Sequence, residues 1–255
     1  MQALRRTSAT LAALPRRAAL VARPILAKPY HSYDHPSTQS SFNETETAIL
    51  DAAYKHVPDL GFSQAALSRG ARDAGYLDMS TTALQDGPFS LIRYHLVTRR
   101  EGLAARSGEI FAGEGGQGVG VLDKVERLTW ERLLGNREVI HKWQEALAIM
   151  AQPSYVPASL KELSSLADEI WFLAGDKAVD PTWYTKRASL SMIYASSELF
   201  MTTDKSHDFE ETRAFLQRRL DESNKASGVL GAVGEWVGFT ANAGLNVLRS
   251  KGVRI

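Results

Sequence analysis

The chain has 255 residues, no cysteine and a formal net charge of +1, from 30 basic and 29 acidic side chains. A chain of this length can bury its own core, and the missing cysteines exclude disulfides, thiolate zinc sites and a cysteine nucleophile. The content of 44% hydrophobic and 23% charged residues excludes wholesale disorder, and no run of 18 consecutive apolar residues predicts a membrane-spanning helix.

The N-terminal segment is strongly basic. Residues 1–33 contain six Arg or Lys and no acid, and Asp34 is the first acidic residue. An acid-free, Arg-rich leader is typical of a mitochondrial transit peptide, whereas the apolar run of a secretory signal is broken here by Pro15, Arg16 and Arg17. A disordered basic tail is the alternative. We predict a transit peptide and linker over residues 1–41, followed by a mildly acidic body that is not suited to general phosphate binding.

The body has helical patterns from residue 42 onwards. Asn43 and Glu46 form a capping-box pattern for the first helix, which Pro58 is expected to end. Ser63 is a good N-cap for a second helix that ends before Gly75. A short third helix fits residues 80–85, and later helices are predicted over 89–106, 121–134, 137–151, 158–174, 180–201 and 208–222.

The glycine-rich stretch 107–120 is predicted to be a loop. It contains a G-x-G-x-x-G match at residues 113–118, but no strand precedes the match, so we do not expect a nucleotide site. No segment alternates apolar and polar residues long enough to predict a sheet. The predicted fold class is therefore all-α, with nine or ten helices.

The second and third predicted helices are spaced like a DNA-reading helix-turn-helix unit, within residues 42–86. The third helix would be the recognition helix, but it offers Gln85 and no basic residue, with Asp78 and Asp86 close to its ends. Repulsion from DNA phosphates would weaken binding. DNA binding is kept as the alternative function, and we expect no nucleic acid to bind.

One pair of residues fits part of a metal site. Glu138 and His141 form a Glu-x-x-His motif on a predicted helix. Di-iron carboxylate bundles need two such motifs and two further glutamates, so the pair is more simply a surface pair. No other catalytic motif is present, and we predict a protein without enzymatic activity, metal or cofactor.

The predicted helix 180–201 carries two stripes. Asp180, Trp183, Tyr184 and Arg187 share the first, whose two aromatic residues between an acid and an arginine are typical of an interface hot spot, although simple burial explains them equally well. The second stripe is the predicted core face. It consists of Leu190, Ile193, Ser197, Phe200 and Met201.

The C-terminal segment 223–255 is basic and apolar, with Glu235 as the single charge between residues 226 and 248. Its apolar residues recur with helical spacing, which favours an amphipathic helix at an anionic membrane surface over docking on the core or on a second subunit. The predicted membrane-binding residues are Val229, Leu230, Val233, Trp236, Val237 and Leu248.

Several motifs resemble the coenzyme Q biosynthesis accessory lipid-binding family of mitochondria. The resemblance lies in Leu173-Ala174-Gly175-Asp176, in Asp180 with Trp183-Tyr184-Thr185-Lys186-Arg187, and in Glu198-Leu199, and it covers about residues 43–222. The glycine-rich stretch 107–120 has no counterpart in the pattern.

This resemblance implies a TetR-like all-α fold with an apolar cavity for isoprenoid quinone intermediates. It implies a protein on the matrix face of the inner mitochondrial membrane that presents the lipid to the di-iron demethoxyubiquinone hydroxylase. Whether the chain forms a homodimer is left open. The implied partner-binding residues are Asp168, Ile170, Asp180, Trp183, Tyr184 and Arg187. The implied lipid-binding residues are Leu190, Ile193, Tyr194, Phe200 and Met201.

The chain is thus expected to have four parts. Residues 1–41 are the transit peptide and linker, and residues 42–86 the helix-turn-helix-like unit. Residues 87–222 are the lipid-binding helical domain, and residues 223–255 the membrane-associating helix.

Overall fold

A computed structural model describes residues 42–112, 120–176 and 182–225, and the regular secondary structure within these ranges is entirely helical. The prediction of an all-α fold is therefore confirmed, in keeping with a TetR-like bundle. The α-helices are α1 (Glu44–Tyr54), α2 (Val57–Leu60), α3 (Gln64–Asp73), α4 (Pro88–Ala112), α5 (Val121–Leu134), α6 (Ile140–Met150), α7 (Val156–Leu173), α8 (Thr182–Met201) and α9 (Glu210–Lys225). Three 3₁₀ turns span Asp78–Ala83, Arg137–Val139 and His207–Phe209.

The capping residues named from the sequence begin their helices as predicted. The side chain of Asn43 accepts a hydrogen bond from the Glu46 amide at 2.8 Å, and the Glu46 carboxylate accepts one from the Asn43 amide at 3.0 Å, which completes the capping box. Ser63 Oγ accepts from the Ala66 amide at 3.3 Å at the start of α3. These caps satisfy amides that have no partner within the helix.

The chain leaves α1 differently from the prediction. Helix α1 ends at Tyr54, and Pro58 lies in the first turn of the next helix, α2, rather than ending the first one. Proline is compatible with the first turn because its missing amide proton would have no partner there.

The short helix expected over residues 80–85 is a 3₁₀ helix over Asp78–Ala83 rather than an α-helix. Thr81 is buried against α3, where its hydroxyl accepts from Gln64 Nε2 at 3.1 Å. Asp78 pairs with Arg72 of α3 at 3.1 Å. These contacts tie the turn back onto α3, so this segment does not form a helix that could enter a DNA groove.

Two further boundaries differ from the prediction. Helix α4 continues to Ala112, into the stretch expected to be a loop, because Ile110 and Phe111 pack against the core. Helix α9 begins at Glu210 rather than at residue 208, since Asp208 has a positive φ of 50°. The Asp204 carboxylate caps this end of α9 and accepts from the Thr212 amide at 2.8 Å.

The apolar side chains form two hydrophobic clusters. The first joins α1, α3, the first half of α4 and α6, and the second joins the later part of α4 with α5, α7, α8 and α9. In the first cluster Gly70 of α3 lies against the backbone of Ala53 in α1, where a Cβ atom would come within 2.3 Å of the Ala53 nitrogen. The close crossing of α1 and α3 therefore requires a residue without a side chain.

We expect Gly70→Ala to lower the free energy of unfolding by about 1–3 kcal/mol, because α1 must move away to accept the methyl group. Chemical denaturation followed by circular dichroism measures the change. Gly108→Ala is the matched control, since Gly108 lies in helix α4 with no atom within 4 Å of an added Cβ. It should raise the free energy of unfolding by up to about 1 kcal/mol. Equal effects of the two substitutions would contradict the close crossing.

Candidate functional site

The end of α7 and the start of α8 form a cluster of aromatic and charged side chains, which we call the α7–α8 corner. It consists of Asp168, Trp171, Asp176, Trp183, Tyr184, Lys186 and Arg187. Gly175 ends α7 with a φ of 86°, and the Asp176 amide donates to the Trp171 carbonyl at 3.0 Å. A left-handed residue of this kind is accessible to glycine at little cost, and it closes the helix in a Schellman motif.

Arg187 is the centre of the corner and is only 5% exposed. Its Nε donates to Asp168 Oδ1 at 2.5 Å, and its Nη1 lies 3.8 Å from Asp176 Oδ2. Its guanidinium carbon stands 3.8 Å from the centroid of the Trp183 ring. The two carboxylates offset the cost of burying the guanidinium, and the guanidinium in turn supports the indole by a cation–π contact.

The aromatic pair faces outwards from this support. Tyr184 is 72% exposed and Trp183 is half-buried, and their rings meet edge to face with centroids 4.7 Å apart. Lys186 pairs with Asp176 at 3.0 Å and stands over the Trp171 ring. A rigid, exposed aromatic pair beside balanced charges has the composition of a protein–protein anchor.

Two of the residues expected to contact a partner are buried in the structure. Ile170 is fully buried in the second hydrophobic cluster and cannot be reached from the surface. Arg187 is also buried, so it positions Trp183 rather than presenting its own charge. Asp168 is partly covered beneath Arg187. Asp180 lies outside the described residues.

The residues expected to bind lipid lie on the inner face of α8, which is the face predicted to belong to the core. Leu190, Ile193, Tyr194 and Met201 are buried in the second cluster, and Phe200 is half-buried and stacks on Phe215 of α9 at 4.8 Å. None of the five lines the cavity between α4 and α5 or the one beside Phe42 and Tyr94. Their role in lipid binding stays a prediction. The residues expected to bind the membrane, 229–248, lie outside the described residues.

A buried polar network connects the two hydrophobic clusters, and the sequence did not reveal it. Asn136, in the break between α5 and α6, is fully buried. Its Oδ1 accepts from His95 Nε2 at 2.8 Å and from Arg132 Nη1 at 2.9 Å, and its Nδ2 donates to Glu198 Oε1 at 2.8 Å. Helices α4, α5 and α8 therefore meet at one amide. Glu198 could have indicated such a network from the sequence, because it is an acidic residue next to the predicted core face of α8.

The outer members of the network complete its hydrogen bonds. Tyr194 donates its hydroxyl proton to Glu198 Oε1 at 3.0 Å. Since Asn136 Oδ1 can only accept, His95 carries its proton on Nε2, and its Nδ1 accepts from the Tyr54 hydroxyl at 2.8 Å. Burial, together with the nearby positive charge of Arg132, lowers the pKa of His95 well below its usual value of 6.5, so the imidazole is neutral.

The Glu-x-x-His pair makes two separate contacts. Glu138 pairs with Arg99 at 3.5 Å, and His141 Nε2 donates to the Pro58 carbonyl at 2.7 Å. Within the ranges that the structure describes, no cluster of three or more His, Asp or Glu side chains could hold a metal ion. None of the described helices is both long enough and apolar enough to cross a bilayer.

Comparison with known proteins places this arrangement in a family. The COQ9 family model matches residues 156–227, which include all of α7, α8 and α9. The chain is 37% identical over 224 residues to the mitochondrial ubiquinone biosynthesis protein coq9 of Schizosaccharomyces pombe, covering 88% of this chain and 87% of that protein.

Animal relatives align over a shorter part. The chain is 35% identical to COQ9-B of Xenopus laevis and 32% identical to COQ9 of Drosophila melanogaster, in each case over 72% of this chain. It spans 64% and 57% of those two proteins, less than two thirds of their length.

The network gives a pH-dependent prediction. Burial raises the pKa of Glu198 above its usual 4.5, against the opposing effect of Arg132 and of hydrogen bonds from Asn136 and Tyr194. The folded state therefore holds a proton that the unfolded chain releases, and Glu198 lowers stability as the pH rises from about 4.5 through its folded pKa. Glu198→Gln keeps an accepting oxygen but has no proton to release. Its free energy of unfolding relative to the original protein should therefore increase as the pH rises above about 4.5.

Urea denaturation at a series of pH values measures the difference. Glu222→Gln on the exposed side of α9 removes the same charge outside the network and serves as the control. Parallel pH profiles for Glu198→Gln and the original protein would contradict the raised pKa.

Proposed function

The chain belongs to the COQ9 family of mitochondrial ubiquinone biosynthesis proteins, and on this premise we propose that it is a non-catalytic lipid-presenting protein. It binds isoprenoid quinone intermediates at the matrix face of the inner mitochondrial membrane and presents them to the di-iron demethoxyubiquinone hydroxylase. The relatives support the coarser part of this statement, a role in coenzyme Q biosynthesis and a mitochondrial location.

The observation that carries the presenting role is the exposed aromatic pair of the α7–α8 corner. Tyr184 is 72% exposed and its ring contacts the half-buried Trp183, so the two aromatic side chains present one surface to a partner. Trp183 is held from beneath by Arg187, whose own position is fixed by Asp168 at 2.5 Å. Pre-organised aromatic anchors bind partners with little loss of side-chain entropy, which favours a protein-docking role for this surface.

The lipid-binding role is supported by the chemistry of the substrate and by two apolar segments. A long isoprenoid tail is almost insoluble, so transfer to an enzyme requires an apolar sleeve that opens towards the membrane. The inner faces of α8 and α9 meet through the stacked rings of Phe200 and Phe215, and the amphipathic segment 226–248 follows α9 directly in sequence. Separation of α9 from α8 would open an apolar surface on the helix that precedes the predicted membrane-binding segment in the sequence.

Nothing favours the DNA-binding alternative. The segment expected to be the recognition helix is a 3₁₀ turn, and its Asp78 is paired with Arg72. A DNA-reading unit needs basic and amide side chains directed from a helix into the groove.

We expect Tyr184→Ala to weaken binding to the demethoxyubiquinone hydroxylase at least about fivefold, because removal of an aromatic anchor typically costs more than about 1 kcal/mol. Trp183→Lys should abolish the interaction. Co-purification and titration with the hydroxylase measure the effect. Tyr76→Ala removes another exposed tyrosine, outside the α7–α8 corner, and should leave binding unchanged. Unaltered binding by Tyr184→Ala would remove the corner from the interface, whereas unfolding of Trp183→Lys would assign Trp183 to the core.

The lipid-binding role has its own test. Native mass spectrometry of the purified chain should show a bound isoprenoid lipid, because such a lipid is almost insoluble in water and would stay in its apolar site. Deletion of residues 226–255 should reduce binding to anionic liposomes, because that segment carries the predicted apolar and basic residues. A protein that carries no lipid and does not bind liposomes would contradict the lipid-binding part of the proposal. That result would not bear on the proposed protein-docking role of the α7–α8 corner.

A further inference from the structure

A cavity of about 490 Å³ lies between the middle of α4 and the end of α5. Four arginines line it, namely Arg99, Arg106, Arg132 and Arg137. Among the described residues that line it, Glu131 is the single acid. The cavity therefore concentrates positive charge within a body whose overall balance is mildly acidic.

Arg132 is the member that points to a ligand. It is only 2% exposed, and its Nη1 donates to Asn136 Oδ1 at 2.9 Å. Its Nε and Nη2 are buried, and within the described chain they meet no hydrogen-bond acceptor. These two nitrogens are closed to solvent, so a ligand in the cavity acts on Arg132 through its charge. Burying a positive charge is costly, and an anion in the adjoining cavity would offset part of that cost.

The other arginines can engage a ligand with little loss. Arg137 pairs with Asp208 at 2.9 Å and Arg99 with Glu138 at 3.5 Å, and both acids are exposed residues outside the cavity lining. Exposed ion pairs contribute little to stability, so exchanging them for a ligand costs little. Arg106 is paired with Glu131, which neutralises the one acid of the lining.

We propose that this cavity binds the phosphate group of a small molecule or of a lipid headgroup. The planar fork of an arginine matches two phosphate oxygens at once, and several forks around one cavity suit a group with a double negative charge. Leu103 and Leu134 also line the cavity and can contact an apolar part of the same ligand. The site does not depend on isoprenoid binding between α8 and α9, because it is built from α4, α5 and the turn after α5.

Two arms of one experiment distinguish the sources of the phosphate. In the first, the full chain is titrated with inorganic phosphate at low ionic strength in a calorimeter. In the second, flotation measures binding to phosphatidylcholine vesicles with and without phosphatidic acid. Arg106→Gln and Arg137→Gln alter the lining at exposed side chains. Arg219→Gln on α9 removes the same charge from an exposed ion pair outside the cavity and is the matched control.

We expect the original protein to bind phosphate in at least one arm. In that arm each lining variant should bind about tenfold more weakly, as is typical for loss of a charged hydrogen bond, and Arg219→Gln should bind unchanged. Binding to inorganic phosphate identifies a free ligand, and binding to phosphatidic acid vesicles alone that the lining variants weaken identifies a lipid headgroup. Vesicle binding that the lining variants leave unchanged belongs to the basic C-terminal segment and overturns the proposal. No binding in either arm overturns the proposal. An equal loss in Arg219→Gln also overturns it, because general charge rather than the cavity would then explain binding.

Discussion

The amide of Asn136 is the contact on which the packing of the described helices depends. It is fully buried, and it joins His95 of α4, Arg132 of α5 and Glu198 of α8 through hydrogen bonds of 2.8 to 2.9 Å. Each of these groups would be costly to bury alone, since an unsatisfied polar group in a low-dielectric interior loses its solvation without compensation. The two hydrophobic clusters are therefore fixed relative to each other by a directional contact at their boundary.

The network includes residues of helix α8 and none of helix α9. Helix α8 carries the aromatic pair at its first turn and Glu198 near its last, so the network that anchors the end of the helix also fixes the position of the pair at its start. Helix α9 contacts α8 through the stacked rings of Phe200 and Phe215 and through the partly buried hydrogen bond between the hydroxyls of Ser189 and Ser223. If lipid enters between them, α9 is the helix that must move, because moving α8 would break the buried network.

The sequence predicted local structure well where one residue determines it. The capping residues Asn43 and Ser63 and the left-handed Gly175 act within a few neighbours, so their roles follow from residue type. The 3₁₀ geometry of residues 78–83 and the burial of Ile170 did not follow from the sequence, because tertiary contacts decide them. A short polar segment becomes a 3₁₀ turn when α3 holds it, and whether an apolar residue lies inside or outside depends on which helix covers it.

The distribution of charge explains why the sequence argued against phosphate binding while the structure supplies a cavity for it. Net charge governs the long-range field and weak association with polyanions, and the body carries more acid than base. A cavity is governed by the groups within a few ångströms, because exposed charges further away than about 8–10 Å are screened. Arg99, Arg106, Arg132 and Arg137 are far apart enough in the sequence to form no basic run, and they come together only because α4 packs against α5. Composition therefore excludes a polyanion-binding surface but not a site for one anion.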